Sequence, residues 1–140
     1  MEYIDVIYGR SNWKPISLLI QIRTLSHWSH IGAILPDGRI VEAVGGLGVI
    51  ITTMEAFTAR YSDTIIERLP VVSRDEAYRY LKNHIGYVYD TRAAISYLFA
   101  LGWDVPYAKH CSELIAGCTG YFNPLRLNEI TPSILRKLST

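Results

Sequence analysis

Residues 29–44 read SHIGAILPDGRIVEAV, and this stretch decides the fold. Two apolar runs flank Pro36-Asp37-Gly38, a pattern typical of two strands joined by a tight turn. Proline suits the second position of a type I turn, and glycine suits the left-handed position that follows. We therefore predict a β-hairpin with a bulge, in which Leu35 faces Arg39.

The predicted register brings two polar side chains together. Counting back from the turn makes His30 and Glu42 diagonal neighbours on one face of the hairpin. A two-residue turn at Asp37-Gly38 would reverse the alternation of the side chains and separate them. That alternative would place Pro36 inside the strand ladder, where proline is disfavoured, so we prefer the first register.

Glu42 is expected on an apolar surface, because Ile40 and Val44 share its face. A carboxylate in such surroundings needs a partner, and His30 is the partner that the register supplies. Taken alone, His30 is more typical of a core histidine that bonds to the backbone. The two residues together favour a functional pair.

A thiol stands in the second informative stretch, KHCSELI at residues 109–115. We predict that Cys111 occupies the first turn of a helix that ends near Gly117 and Gly120. A helix N-terminus lowers the pKa of a thiol and can stabilise an oxyanion, although most buried cysteines only pack. One face of this helix is predicted to turn inward, with residues spaced by three or four: Cys111, Leu114, Ile115 and Cys118.

A nucleophilic cysteine needs a base, and the hairpin offers one. With one ring nitrogen held by Glu42, His30 has its other nitrogen available for the proton of Cys111. His27 precedes the strand and His110 adjoins the thiol in sequence, so His30 is the preferred histidine. We predict a catalytic triad of Cys111, His30 and Glu42.

Length and composition limit the class of protein. A chain of 140 residues fits one domain, and we expect a single domain over residues 1–140. A net charge of +1 argues against nucleic acid as a partner. Ten tyrosines and three tryptophans are typical of grooves that bind peptides or other partly polar ligands.

The same composition gives no sign of a cofactor, a metal site or a membrane anchor. The spacing of the two cysteines and four histidines matches no zinc pattern. The first residues lack the features of a signal peptide, and the apolar run near residues 93–103 is too short to cross a bilayer. We expect a soluble cytoplasmic protein, with release by another route left open, and the sequence does not indicate an oligomeric state.

The rest of the chain reads as alternating short strands and helices. Strands are predicted at residues 3–8, 49–52 and 64–69, the first closed by Gly9. Ser73 and Glu76 form a capping box that opens a helix ending at Gly86. Further helices are predicted from Pro15, over residues 53–59 and 91–101, and after Thr131-Pro132.

The order His30, Glu42, Cys111 resembles the circularly permuted NlpC/P60 group of papain-like cysteine hydrolases, the YiiX-like branch in particular. The similarity extends over about residues 3–120, with Ile4 standing where the family usually has glycine. The segments that carry it are Tyr3-Ile4-Asp5-Val6-Ile7, Ser29-His30-Ile31-Gly32, Ile40-Val41-Glu42-Ala43, Gly86-Tyr87-Val88-Tyr89-Asp90 and Cys111-Ser112-Glu113-Leu114.

The resemblance implies an α+β, permuted papain-like fold, in which the cysteine helix packs against a small antiparallel sheet. It implies cleavage of an amide through an acyl-enzyme, as in a peptidase or amidase. Lipid acyl transfer, thioester hydrolysis and a non-catalytic binding module with the same cleft are the alternatives. Tyr89 and Asp90 could line the cleft, or Asp90 could cap the following helix, and Tyr8 and Trp13 could border the groove.

Overall fold

The computed structural model describes residues 1–10, 30–44, 48–86, 106–123, 127, 130 and 132–140. Within these ranges, the side chains of residues 106–110 and 133 are not described. The helices predicted from Pro15 and over residues 91–101 lie outside the described residues.

The described elements make an α+β protein. The strands are β1 (Glu2–Arg10), β2 (His30–Ile34), β3 (Ile40–Val44), β4 (Gly48–Thr52) and β5 (Asp63–Val71). The helices are α1 (Met54–Ala59), α2 (Arg74–His84), α3 (Pro106–Thr119) and α4 (Pro132–Leu138). Within the described ranges, none of these helices has the length and apolar character needed to cross a membrane.

The five strands form one antiparallel sheet in the order β4-β3-β2-β1-β5. The predicted hairpin joins β2 to β3. The backbone N–H of Leu35 donates to the carbonyl of Arg39 at 2.7 Å, and Ile34 lies opposite Ile40. Gly38 has a φ of 87°, the left-handed conformation that the turn requires. The register predicted from Pro36-Asp37-Gly38 is confirmed.

The two faces of the sheet are covered differently. The larger core joins one face of the sheet to α2, α3 and α4, with β1 contributing Ile4, Val6 and Tyr8. A smaller core on the opposite face contains Ile7, Ile40 and Phe57, the last from α1. Alternation along β1 and β3 separates these two sets, as expected for a sheet that is covered on both faces.

Several predicted boundaries are confirmed. Thr53 and Ser73 cap α1 and α2, each accepting a hydrogen bond from the backbone N–H three residues later. Gly9, however, does not close β1, because the strand continues to Arg10, which pairs with Asp63 of β5.

Gly117 lies inside α3 and does not end it, since the helix continues to Thr119. The termination is provided by Gly120, which has a φ of 76°. A Cβ atom at position 117 would lie 2.1 Å from the hydroxyl oxygen of Tyr80 in α2. The absence of a side chain at Gly117 therefore lets α2 and α3 approach each other.

We expect the Gly117→Ala variant to unfold more easily than the unaltered protein, by about 1–3 kcal/mol, because the added methyl group overpacks the α2–α3 contact. In an open helix the same change would stabilise by about 1 kcal/mol. Urea unfolding followed by circular dichroism measures the difference. In a Tyr80→Ala background the cost of Gly117→Ala should disappear, and an unchanged stability of the single variant would contradict this explanation.

Candidate active site

The His30–Glu42 pair is present in the structure. Glu42 lies on β3 with no exposed surface, facing the side of the sheet that carries Ile40. His30 is the first residue of β2, and its Nε2 lies 3.0 Å from Oε1 of Glu42. The contact predicted from the hairpin register is therefore confirmed, and it satisfies part of the hydrogen-bonding capacity of the buried carboxylate.

Arg60 is a second partner of Glu42. It follows α1 directly as the C-cap residue. Its Nη2 donates to Oε1 of Glu42 at 2.6 Å and to Oε2 at 2.5 Å. Arg60 could not be predicted from the sequence, because a single arginine at the end of a short helix carries no local sign of its distant partner.

Cys111 reaches the His30–Glu42 pair from helix α3. It lies in α3, which packs against β2 and β3, and its side chain is fully buried. The side chain of His30 is hydrogen-bonded to that of Cys111. Since Glu42 holds Nε2, the nitrogen left for the thiol is Nδ1. The result is a continuous polar chain, Cys111–His30–Glu42–Arg60.

The charges along this chain shift two titrations. Burial by itself lowers the pKa of the His30 imidazole, but the charge and hydrogen bond of Cys111, together with those of Glu42, raise that pKa to about 9. Burial by itself raises the pKa of Glu42, but the hydrogen bonds and charges of His30 and Arg60 lower it below its ordinary value. At neutral pH, therefore, Glu42 is ionised and the protonated form of His30 is favoured.

Two aromatic rings hold the imidazole in place. Phe57 and Tyr61 stack on His30, with ring centroids 5.7 Å and 5.8 Å away. Gly9 lies opposite His30 in the β1–β2 ladder, and a Cβ atom there would lie 2.7 Å from the ring of Tyr61. Gly9 thus leaves room for the ring that packs on the histidine.

Cys111 does not lie in the first turn of its helix, so that prediction is wrong. The helix begins at Pro106, which makes Cys111 its sixth residue. The backbone N–H of Cys111 therefore falls within the regular hydrogen bonding of the helix, and the effect of the helix dipole fades beyond the first turn. His30, and not the helix terminus, is the neighbour that can change the chemistry of this thiol.

Cys111, Leu114, Ile115 and Cys118 are all buried, as the predicted inward face requires. Cys118 makes a different set of contacts from Cys111. Its Sγ lies 3.0 Å from the carbonyl oxygen of Ile115, and burial raises its pKa to about 12. The two cysteines of the chain therefore differ sharply in environment.

Tyr8 does not border a groove. Alternation along β1 turns it toward the larger core beside Ile4 and Val6, where it is fully buried. Its hydroxyl lies 2.6 Å from Oγ of Ser139, and burial raises its pKa. The prediction that Tyr8 borders the groove is therefore wrong. The other predicted cleft residues, Trp13, Tyr89 and Asp90, lie outside the described residues.

The fold is similar to that of a solved structure. The chain superimposes on the crystal structure of metalloprotein YiiX from Escherichia coli O157:H7, DUF1105, with a TM-score of 0.57 and 18% sequence identity. The match covers 99% of this chain and 94% of the YiiX chain. No protein-family model and no curated protein sequence matches. The protein therefore has a YiiX-like α+β fold.

The donors of the site do not suit a metal ion. Both carboxylate oxygens of Glu42 contact the guanidinium of Arg60, whose positive charge would oppose a cation at the same position. Across the part of the chain that the structure describes, no three His, Cys, Asp or Glu side chains are grouped so as to hold a metal.

Proposed function

We propose that the protein is a cysteine hydrolase of the circularly permuted papain-like type, acting on an amide through Cys111, His30 and Glu42. The observation that carries the proposal is the hydrogen-bonded chain from the Cys111 thiol through His30 to Glu42. It joins a nucleophile, a base and an orienting group in the order that thiol catalysis requires. The chain order of these residues, with His30 and Glu42 before Cys111, suits the permuted arrangement.

In this mechanism His30 holds the proton of Cys111, and the thiolate attacks the carbonyl carbon of the substrate. The C–N bond of the tetrahedral intermediate breaks, the amine leaves with the proton from His30, and the acyl group remains on Cys111 as a thioester. Water then attacks the thioester while His30 accepts its proton. The carboxylic acid is released and the thiol regains its proton.

Glu42 serves the reaction through His30. By accepting from Nε2, the carboxylate fixes the orientation of the ring and stabilises the imidazolium. The His30 side chain keeps 12% of its surface exposed whereas Glu42 keeps none, so His30 is the solvent-facing member of this pair. The pKa of about 9 favours the imidazolium at neutral pH.

Alkylation of the two cysteines with iodoacetamide tests this proposal. At neutral pH we expect Cys111 to react about 10-fold faster than free cysteine, because His30 is placed to take the proton of its thiol. Cys118 is the internal control, and its pKa of about 12 predicts a rate far below that of free cysteine. Mass spectrometry of the two peptides gives the separate rates.

The second arm of this test is hydrolysis of p-nitrophenyl acetate. We expect Cys111→Ala to lose this hydrolysis and Cys118→Ala to keep it. A Cys111 that reacts no faster than free cysteine, or a Cys111→Ala variant with full hydrolysis, would show that the proposed function is wrong.

A further inference from the structure

We propose that Arg60 is a positioning residue, which keeps Glu42 ionised and directed at His30 so that the site stays active in mildly acidic solution. This inference rests on the proposed function of Cys111 and His30. It assigns a task to a residue whose side-chain hydrogen bonds go to Glu42.

The geometry distinguishes Arg60 from an ordinary surface arginine. Its Nη2 contacts both oxygens of a carboxylate that has no exposed surface, and Oε1 is also the atom that His30 Nε2 contacts. The guanidinium packs over the rings of Phe57 and Tyr61, with 5.3 Å and 5.5 Å from Cζ to the ring centroids. The rings that stack on His30 therefore also hold the cation that fixes its acceptor.

The surroundings of Glu42 make a permanent cation important. His30 of β2 and Arg60 at the end of α1 are its hydrogen-bond partners, and Cys111 of α3 reaches it only through His30. From β4, apolar Ile50 lies opposite Glu42 in the ladder, and from the end of α1 the phenol of Tyr61 faces the cluster. Of the groups named here, Arg60 is the one that keeps its charge between about pH 4 and pH 9.

The direction of the effect follows from the chemistry of a carboxylate. Glu42 can accept from His30 Nε2 and stabilise the imidazolium while it is ionised. When it binds a proton, it loses that charge, and the base loses its orienting group. A positive charge within hydrogen-bond distance moves the protonation of a carboxylate toward lower pH by about one to three units. Removing Arg60 should therefore move the acidic limb of activity upward.

The test is the pH profile of Cys111 alkylation by iodoacetamide, measured from about pH 4 to pH 9 in unaltered protein, Arg60→Gln and Arg60→Lys. Arg60→Gln keeps a hydrogen-bond donor but removes the charge, and we expect its acidic limb about one pH unit higher. Arg60→Lys keeps the charge without the planar fork, and we expect its limb to stay near that of the unaltered protein. A purely structural role would lower the rate by the same factor at every pH.

Two results separate the failure of this inference from the failure of the proposed function. An ordinary thiol profile for Cys111 in the unaltered protein would refute the proposed function itself. A fast, His30-dependent Cys111 whose profile is identical in Arg60→Gln would refute only the role of Arg60.

If Arg60→Gln does not fold, the inference is tested by a carbon-13 NMR titration of the Glu42 carboxyl group. In His30→Asn protein, which retains Arg60, we expect the Glu42 carboxyl to titrate below the ordinary value for glutamate. A midpoint at or above that value would show that Arg60 does not keep Glu42 ionised and would overturn the inference.

Discussion

Replacing His30 with alanine should lower the hydrolysis of p-nitrophenyl acetate by about 10³-fold or more. The alkylation rate of Cys111 at neutral pH should fall as well. Cys111 is the sixth residue of α3, beyond the turn where a helix terminus could activate its thiol. The hydrogen bond to His30 links this buried sulfur to the base that takes its proton in the proposed mechanism. Alkylation should fall less than hydrolysis, because His30 also transfers protons during turnover.

His84→Ala is the matched control for this prediction. His84 stacks on Tyr80 in α2, with ring centroids 4.0 Å apart, and its Nδ1 lies 2.8 Å from the carbonyl oxygen of Tyr80. Its removal should leave both rates unchanged. Thermal unfolding of each variant shows whether lost packing on Phe57 and Tyr61 contributes to the effect of His30→Ala. Hydrolysis above one tenth of the original rate in folded His30→Ala would contradict the role given to the imidazole.

The part of the site that could be predicted from sequence is the part fixed by local backbone geometry. Pro36-Asp37-Gly38 determines the turn, the turn determines the register, and the register determines that His30 meets Glu42. Each step depends on residues that are close in the chain. The strict alternation of side chains along a strand then extends this local information across the hairpin.

The part that could not be predicted depends on where elements meet in space. Arg60 reaches Glu42 only because α1 packs on the same face of the sheet as the His30–Glu42 pair, and no local pattern specifies that packing. Tyr8 is a second residue whose position depends on how distant elements pack. Its alternation in β1 was visible in the sequence, but the face that α4 and Ser139 would cover was not.

The start of α3 was missed for a different reason. Pro106 suits the first turn of a helix as well as a preceding loop, and the inward face of the helix becomes visible only from Cys111 onward. The chemical consequence is large, because a helix that starts at Pro106 leaves a side chain, and not the helix dipole, as the expected source of activation for Cys111. Under the proposed function, we therefore expect the reactivity of Cys111 to depend on His30 and, through it, on Glu42.

We expect Glu42→Leu to destabilise the protein by about 3 kcal/mol at neutral pH. The change leaves the guanidinium of Arg60 and Nε2 of His30 without their shared acceptor in a buried setting, and unpaired polar groups are costly there. The expected loss lies at the lower end of the usual range because solvent reaches Arg60, whose side chain remains 34% exposed. Urea unfolding followed by circular dichroism measures it. Glu42→Gln, which keeps one carbonyl acceptor, should cost less.

The double variant Glu42→Leu, Arg60→Met separates the structural task of the carboxylate from its chemical task. Replacing a buried ion pair with apolar side chains of similar size is often nearly neutral, so we expect recovery to within about 1 kcal/mol of the unaltered protein. The alkylation rate of Cys111 should stay low, because His30 still lacks its acceptor. As the pH falls, the deficit of Glu42→Leu should shrink, since the depressed pKa of Glu42 gives stability that is lost when the carboxylate is protonated. A double variant that regains both stability and thiol reactivity would mean that Glu42 only neutralises Arg60, and the His30–Glu42 contact would then have no part in activating Cys111.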